Sequence, residues 1–318
     1  QDLEAFIKRD RNHPSIIAWS IGNAVQEQWE EPRVANPKKN KSVQLTRRMV
    51  DVVKRKDSSR PVTAALSKMD TTNNLLRSNA LDIVGINYNE KGYDSMRAWY
   101  SNMPIIATES AAVFNNPEAW YLSHEEAWIA VRDKEYVAGT FIWSAFDYLG
   151  EPQPYSGPAR SSRFGLVDLA GFPKDIYYMY RSEWTSEPTL HLFPHWNWKE
   201  GDKVDICAYY NNADEVELFI NDKSLGRSTK TEDRLHAAWP DVDWEAGEIT
   251  AIAYKDGKEV MRHTRKSATE ADRLKMSVDR SILKADGYDL AYIAVECLDA
   301  DDNLVSAATN QLYIDIEG

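Results

Sequence analysis

Residues 11–24 read RNHPSIIAWSIGNA. The apolar run at 16–21, IIAWSI, has the length and β-branched content of a buried strand. Gly22-Asn23 stops that run and brings an amide to the rim of whatever lies beyond the strand end. Four more runs have the same character: 62–66 (VTAAL), 82–88 (DIVGINY), 105–108 (IIAT) and 139–144 (GTFIWS). After the first of the five, SVQLTRRMVDVVKRKD spaces Val43, Leu45, Met49, Val50 and Val53 along one helical face, with basic residues opposite. That pattern predicts a helix packed by one face on a sheet. Helices of the same kind are expected over 93–102, 117–134 and 174–183. Strand alternating with helix is the signature of a parallel α/β sheet, and an open doubly wound sheet shares it. Each run here ends in a polar tail (GNA, NYNE, TES, SAFDY), which suits strand ends facing one shared pocket, as at the mouth of a (β/α)8 barrel. The expectation is a partial TIM barrel that begins on the helix leading into its fourth strand. Five strands, the fourth to the eighth, cannot close such a barrel, so three would lie upstream.

Beyond residue 187 the texture changes. Short alternating stretches, VDICAYY, EVELFIN and EITAIAY, are punctuated by NDKSLG and YKDGKEV, which read as hairpin turns. Residues 188–267 are therefore expected to form a β-sandwich, and 268–318 the start of a second, immunoglobulin-like sandwich that is cut short after LYIDIE. Residues 1–187 would be the barrel portion.

Lys and Arg number 38 against 50 Asp and Glu, a net charge of −12. Such a surface repels phosphate backbones and anionic headgroups, so nucleic acid and membrane are poor partners. Two cysteines, Cys207 and Cys297, fall in different predicted domains and support neither a disulfide framework nor a cysteine-based metal site. No run approaches the roughly 18 apolar residues of a membrane span. No cofactor and no metal ion are expected. Compartment is left open, with a periplasmic or secreted location placed ahead of a cytoplasmic one.

The stretch RNHPSIIAWSIGNA resembles the signature of glycoside hydrolase family 2, of the β-galactosidase type, in which a strand delivers Asn-Glu to the barrel mouth. Here the pair is Asn23-Ala24, so alanine stands where that family places its general acid/base glutamate. MPIIATES, residues 103–110, resembles the family's nucleophile motif and makes Glu109 the expected nucleophile. In GINYNE, the resemblance gives Tyr88 the task of bonding the nucleophile and places Asn87 beside it. In GTFIWSAFDYLGEP it gives Trp143 a flat face for a sugar ring, and Asp147 and Glu151 become candidates for sugar hydroxyl contacts. Relatives with this tryptophan often carry a cis peptide after it, here Trp143-Ser144. His13 is a further candidate for the sugar pocket. Trp196 and Trp198, in PHWNW, could reach the barrel mouth or pack between domains.

The resemblance implies a retaining exo-β-glycosidase acting on terminal β-galactosides of an oligosaccharide or polysaccharide. Its two carboxyls would stand about 5 Å apart and the reaction would pass through a covalent glycosyl-enzyme. A methyl group at position 24 can neither give nor take a proton, so this form is expected to be impaired. Glu27 is a conceivable substitute, displaced by a turn. The N-terminal half of the same protein would be an obligatory partner, and a homo-oligomer is conceivable. Two alternatives stay open: a β-glucuronidase or galacturonidase of the same family, and a non-catalytic sugar-binding relative. Uronic-acid-specific relatives carry an Asn-x-Lys near the barrel mouth, and none follows the eighth strand here.

Overall fold

The computed structural model describes residues 2–24, 43–67, 69, 71, 73–112, 120–150 and 160–317. The chain divides into two compact units, 1–165 and 166–318. In the first unit, α1 (Asp2–Asp10) precedes β1 (Trp19–Asn23), followed by α2 (Val43–Lys56), β2 (Val62–Leu66) and the short α3 (Asn74–Arg77). Then come β3 (Val84–Asn87), α4 (Tyr93–Trp99), β4 (Ile105–Ser110), α5 (Trp120–Arg132) and β5 (Val137–Ile142), with a small ribbon of β6 (Tyr148–Leu149) and β7 (Ser161–Ser162). The five long strands are parallel and ordered β1-β2-β3-β4-β5. A doubly wound sheet reverses its strand order at a switch point, whereas a barrel segment runs in sequence. The sheet is thus part of a (β/α)8 barrel, as the polar strand tails imply.

Its core gathers Ile7, Trp19, Val50, Val53, Val62, Leu66, Val84, Ile86, Ile105 and Val137. Every residue of β2 is buried, as befits a parallel strand covered on both faces. Burying each large side chain contributes ~1.5–3 kcal/mol. On α2 the apolar stripe places Val50 and Val53 inward, while Lys54, Arg55 and Lys56 fall in the last turn, where the exposed carbonyls favour cations.

Two strands start later than their apolar runs. The main chain at Ile16 is turned, its amide bonding His13 O and its carbonyl accepting Arg60 Nε at 2.6 Å, so β1 begins only at Trp19. At residue 82 the carboxylate accepts the Val62 amide at 2.8 Å and pairs with Lys54 at 2.7 Å, so Asp82 ends a loop and β3 begins at Val84.

The second unit opens with α6 (Asp175–Trp184) and continues with β8 (Leu190–Phe193), β9 (Lys203–Tyr210), β10 (Glu215–Ile220), β11 (Lys223–Ser228), β12 (Ala237–Asp243), β13 (Glu248–Lys255) and β14 (Lys258–Lys266). Antiparallel sheets β11-β10-β13-β14 and β12-β9-β8 enclose Leu192, Trp196, Ile206, Leu218, Trp239 and Ile249. Both turns read from the sequence are left-handed: Asn221 and Asp222 have φ of 47° and 66°, Asp256 and Gly257 of 49° and 74°. A hairpin of β15 (Arg273–Val278) and β16 (Ile293–Leu298) follows, with Leu274, Met276 and Val278 opposite Cys297, Val295 and Ile293 on one face. Among the described residues, no helix is long and apolar enough to cross a membrane.

Candidate active site

Parallel strands in sequential order bring all their C-terminal ends to one edge, and that edge carries Asn23 (β1), Asn87 (β3), Tyr88 (just past β3), Glu109 (β4) and Trp143 (just past β5). The Tyr88 hydroxyl donates to Glu109 Oε2 at 2.7 Å. Asn87, only 3 % exposed, donates from Nδ2 to Asn23 Oδ1 at 2.9 Å and accepts from Thr108 Oγ1 at 2.6 Å. A buried carboxamide left unpaired would be costly, so these bonds fix its position.

The backbone explains why the side chains converge. Between β3 and β4 the register jumps from Ile86 opposite Ala107 to Asn87 opposite Glu109, which leaves Thr108 as a bulged residue. A bulge re-aims the side chains that follow it. Three non-glycine residues at these strand ends are left-handed: Ala24 (φ 44°), Tyr88 (φ 49°) and Ala111 (φ 57°). Such a conformation costs an L-residue roughly 1–2 kcal/mol, and each is retained where the chain must turn at the strand tip. Main-chain bonds hold two of them, from Tyr88 N to Glu109 O at 2.9 Å and from Ala24 N to Ala65 O at 3.1 Å.

At the end of β5 the Trp143–Ser144 peptide is cis, as the family resemblance implies. The indole is set from two directions. Trp143 N donates to Ser110 O at 2.9 Å and Nε1 donates to the Tyr148 hydroxyl at 3.2 Å, with the two rings edge to face. Behind Tyr148 stacks Phe164. On the same loop, Asp147 Oδ1 accepts the Gly165 amide at 2.8 Å, so part of that carboxylate holds the loop. Glu151, and with it Glu27, lies outside the described residues.

His13 is not brought to this edge. It lies exposed in the turn before β1, at the opposite end of the strand from Asn23, and its carbonyl accepts Arg60 Nη2 at 3.0 Å. Arg60 also bonds the carbonyls of Arg11 and Ile16 and pairs with the buried Asp57 at 2.6 Å. Asp57 in turn accepts Trp19 Nε1 at 3.0 Å and both the amide and hydroxyl of Ser59. The first half of RNHPSIIAWSIGNA thus anchors main chain below the sheet, and only its last residues reach the strand tips. Thr108, Ser110 and Tyr148 carry no functional signal in the sequence, since an apolar run followed by Thr-Glu-Ser does not show that a bulge brings Thr108 to Asn87. In the second unit Trp196 is 1 % exposed in the sandwich core, with Nε1 on Glu245 O at 3.0 Å, while Trp198 stacks on His195.

Comparison with known families agrees with this architecture. The glycosyl hydrolases family 2 TIM barrel domain matches residues 1–155, and glycoside hydrolase family 2 C-terminal domain 5 matches 274–318. Between them a domain of unknown function, DUF4982, matches 201–261. The chain belongs to glycoside hydrolase family 2. Over its whole length it is 41 % identical to the β-galactosidase BoGH2A of Bacteroides ovatus, of which it covers 44 %. It is also 27 % identical, over 97 % of its length, to a β-glucuronidase of Formosa agariphila, of which it covers 32 %. The chain therefore spans less than half the length of these relatives. A solved family 2 member from Bacteroides cellulosilyticus superposes with a TM-score of 0.75 at 32 % identity, covering 95 % of this chain and 40 % of that one. A β-glycosidase from Bacteroides vulgatus gives 0.76 at 29 % identity, covering 95 % and 43 %.

Proposed function

We propose that this chain supplies the nucleophile half of a retaining exo-β-glycosidase that acts on terminal β-galactosides, in a form whose proton-transfer residue is replaced by Ala24. The observation that carries the reading is the Tyr88 hydroxyl on Glu109 Oε2, which aims a strand-end carboxylate and leaves its other oxygen for attack. Glu109 bonds to the anomeric carbon as the bond to the leaving oxygen breaks, and water later displaces the carboxylate to release the sugar. In relatives with glutamate at position 24, that residue would protonate the leaving oxygen and then deprotonate the water. Ala24 does neither, and the loss of such a group slows turnover by about 10²–10⁴-fold. The galactoside preference rests on the 41 % identity to BoGH2A. A glucuronide is the second reading, favoured by the relatives named β-glucuronidase.

The test compares full-length protein carrying Ala24 with its Ala24→Glu reversion. A dinitrophenyl β-galactoside needs no acid to depart, so the alanine form should form the glycosyl-enzyme quickly and hydrolyse it slowly. Azide, which needs no general base, should speed turnover and yield β-galactosyl azide. Unactivated oligosaccharides should be cleaved only after the reversion. Strong oligosaccharide hydrolysis by the alanine form, or an α-configured azide, would contradict the assignment, and faster reaction with the dinitrophenyl glucuronide would select the second reading.

A further inference from the structure

We propose that Thr108 is a positioning residue that sets, through Asn87, which face of the Asn23 carboxamide is offered to the bound sugar. The inference rests on the glycosidase reading and concerns how the site recognises one sugar hydroxyl.

Thr108 is the bulged residue of β4, and its hydroxyl donates across to Asn87 Oδ1 on β3 at 2.6 Å. A hydroxyl has one proton, and giving it to Oδ1 leaves Asn87 with its Nδ2 side directed at Asn23, whose Oδ1 accepts it at 2.9 Å. With one lone pair of Oδ1 held by Asn87, the half of the Asn23 carboxamide that carries no such bond at the exposed tip of β1 is its Nδ2 donor pair. The three side chains form a directional chain across the strand tips, from β4 through β3 to β1. Reversing any carboxamide would reverse the next and turn Asn23 from a donor into an acceptor. Sequence packing supports the same arrangement: a Cβ on Gly85 would lie 2.8 Å from Thr108 Cγ2 and 2.8 Å from Ala64 O, so the absence of a side chain on β3 makes the room that Thr108 occupies. Val at 108 has the same shape without the proton.

The experiment uses full-length protein and measures dinitrophenolate release from a dinitrophenyl β-galactoside and its mono-deoxy analogues. Asn23→Ala identifies the analogue whose missing hydroxyl Asn23 recognises, as the one whose rate it leaves unchanged. Thr108→Val should lower kcat/KM for the parent glycoside about 5- to 10-fold, the size of one misdirected hydrogen bond. It should leave that one analogue unaffected and cost nothing further on top of Asn23→Ala. Thr108→Ser, which keeps the hydroxyl, should restore the parent rate. Equal slowing of parent and analogue by Thr108→Val, or losses that add to those of Asn23→Ala, would overturn the proposal. Should Thr108→Val not fold, the contrast between Ser and Ala at 108 gives the same reading. Failure of Glu109 to be labelled by a 2-fluoro glycoside would count against the glycosidase reading and leaves a result separable from either outcome.

Discussion

The hydroxyl of Tyr88, at the left-handed tip of β3, donates to the carboxylate of Glu109 on β4 at 2.7 Å, while the Tyr88 amide donates to the Glu109 carbonyl at 2.9 Å. One residue thus grips both the main chain and the side chain of the other. The left-handed turn makes this double grip possible, because it folds the phenol back over the neighbouring strand.

Tyr88→Phe removes the hydroxyl and keeps the ring. A hydrogen bond to a charged group contributes about 1.5–3 kcal/mol, so covalent labelling of the full-length protein by a 2-fluoro β-galactoside should slow by roughly 10- to 100-fold. Thermal unfolding should move little, since the ring is 41 % exposed. An unchanged labelling rate would remove Tyr88 from the site.

Below the sheet, Asp57 is held well under the ordinary carboxylate value of 3.8, first by the Ser59 hydroxyl and then by Trp19 and Arg60, against the opposing effect of burial. A carboxyl whose folded pKa is depressed lets the unfolded chain bind the extra proton, so its contribution is complete above about pH 4 and fades as pH falls further. Asp57→Asn should destabilise the first unit by about 2–3 kcal/mol at neutral pH and flatten the fall in stability below pH 4, as read by urea unfolding. A variant with the parent's acid slope would contradict this.

His263 Nδ1 stands 3.0 Å from the Leu192 amide, which it accepts only while it carries no proton, and 3.2 Å from the Leu190 carbonyl, to which it can only donate. Burial, then the nearby charges of Arg265 and His191, depress its pKa from 6.5 to about 4, with Asp175 and the Leu190 carbonyl opposing. The unfolded chain therefore takes up a proton between pH 6.5 and 4 that the folded sandwich refuses, and stability declines as pH falls through that window. Amide exchange at Leu192, corrected for intrinsic rates, should be less protected at pH 5 than at pH 7. In His263→Gln, which keeps an acceptor but does not titrate, the loss of protection across the window should be smaller, the remainder coming from His191 and His195, whose pKa values burial also lowers.

The fold was legible wherever its cause is local. Apolar runs gave all five parallel strands, the Val43–Lys56 stripe gave its helix, and Asn221-Asp222 and Asp256-Gly257 gave their turns. Polar strand tails pointed to the edge where Asn23, Asn87, Tyr88 and Glu109 meet. What stayed hidden depends on partners distant in the chain. Arg60 takes carbonyls from Arg11 and His13, so a histidine that invites a sugar-pocket reading is in fact part of a main-chain anchor at the far end of β1. The bulge at Thr108 arises from the register of β4 against β3, and nothing in TES alone encodes it.

Covalent trapping tests whether Glu109 is the nucleophile. Full-length protein with position 24 restored to glutamate is incubated with a 2-fluoro β-galactoside bearing a good leaving group, digested, and the labelled peptide mapped. One fluorosugar is expected on the peptide containing MPIIATES, attached at Glu109. Attachment at Asp147 or Glu151, or rapid turnover by a Glu109→Ala variant, would contradict it.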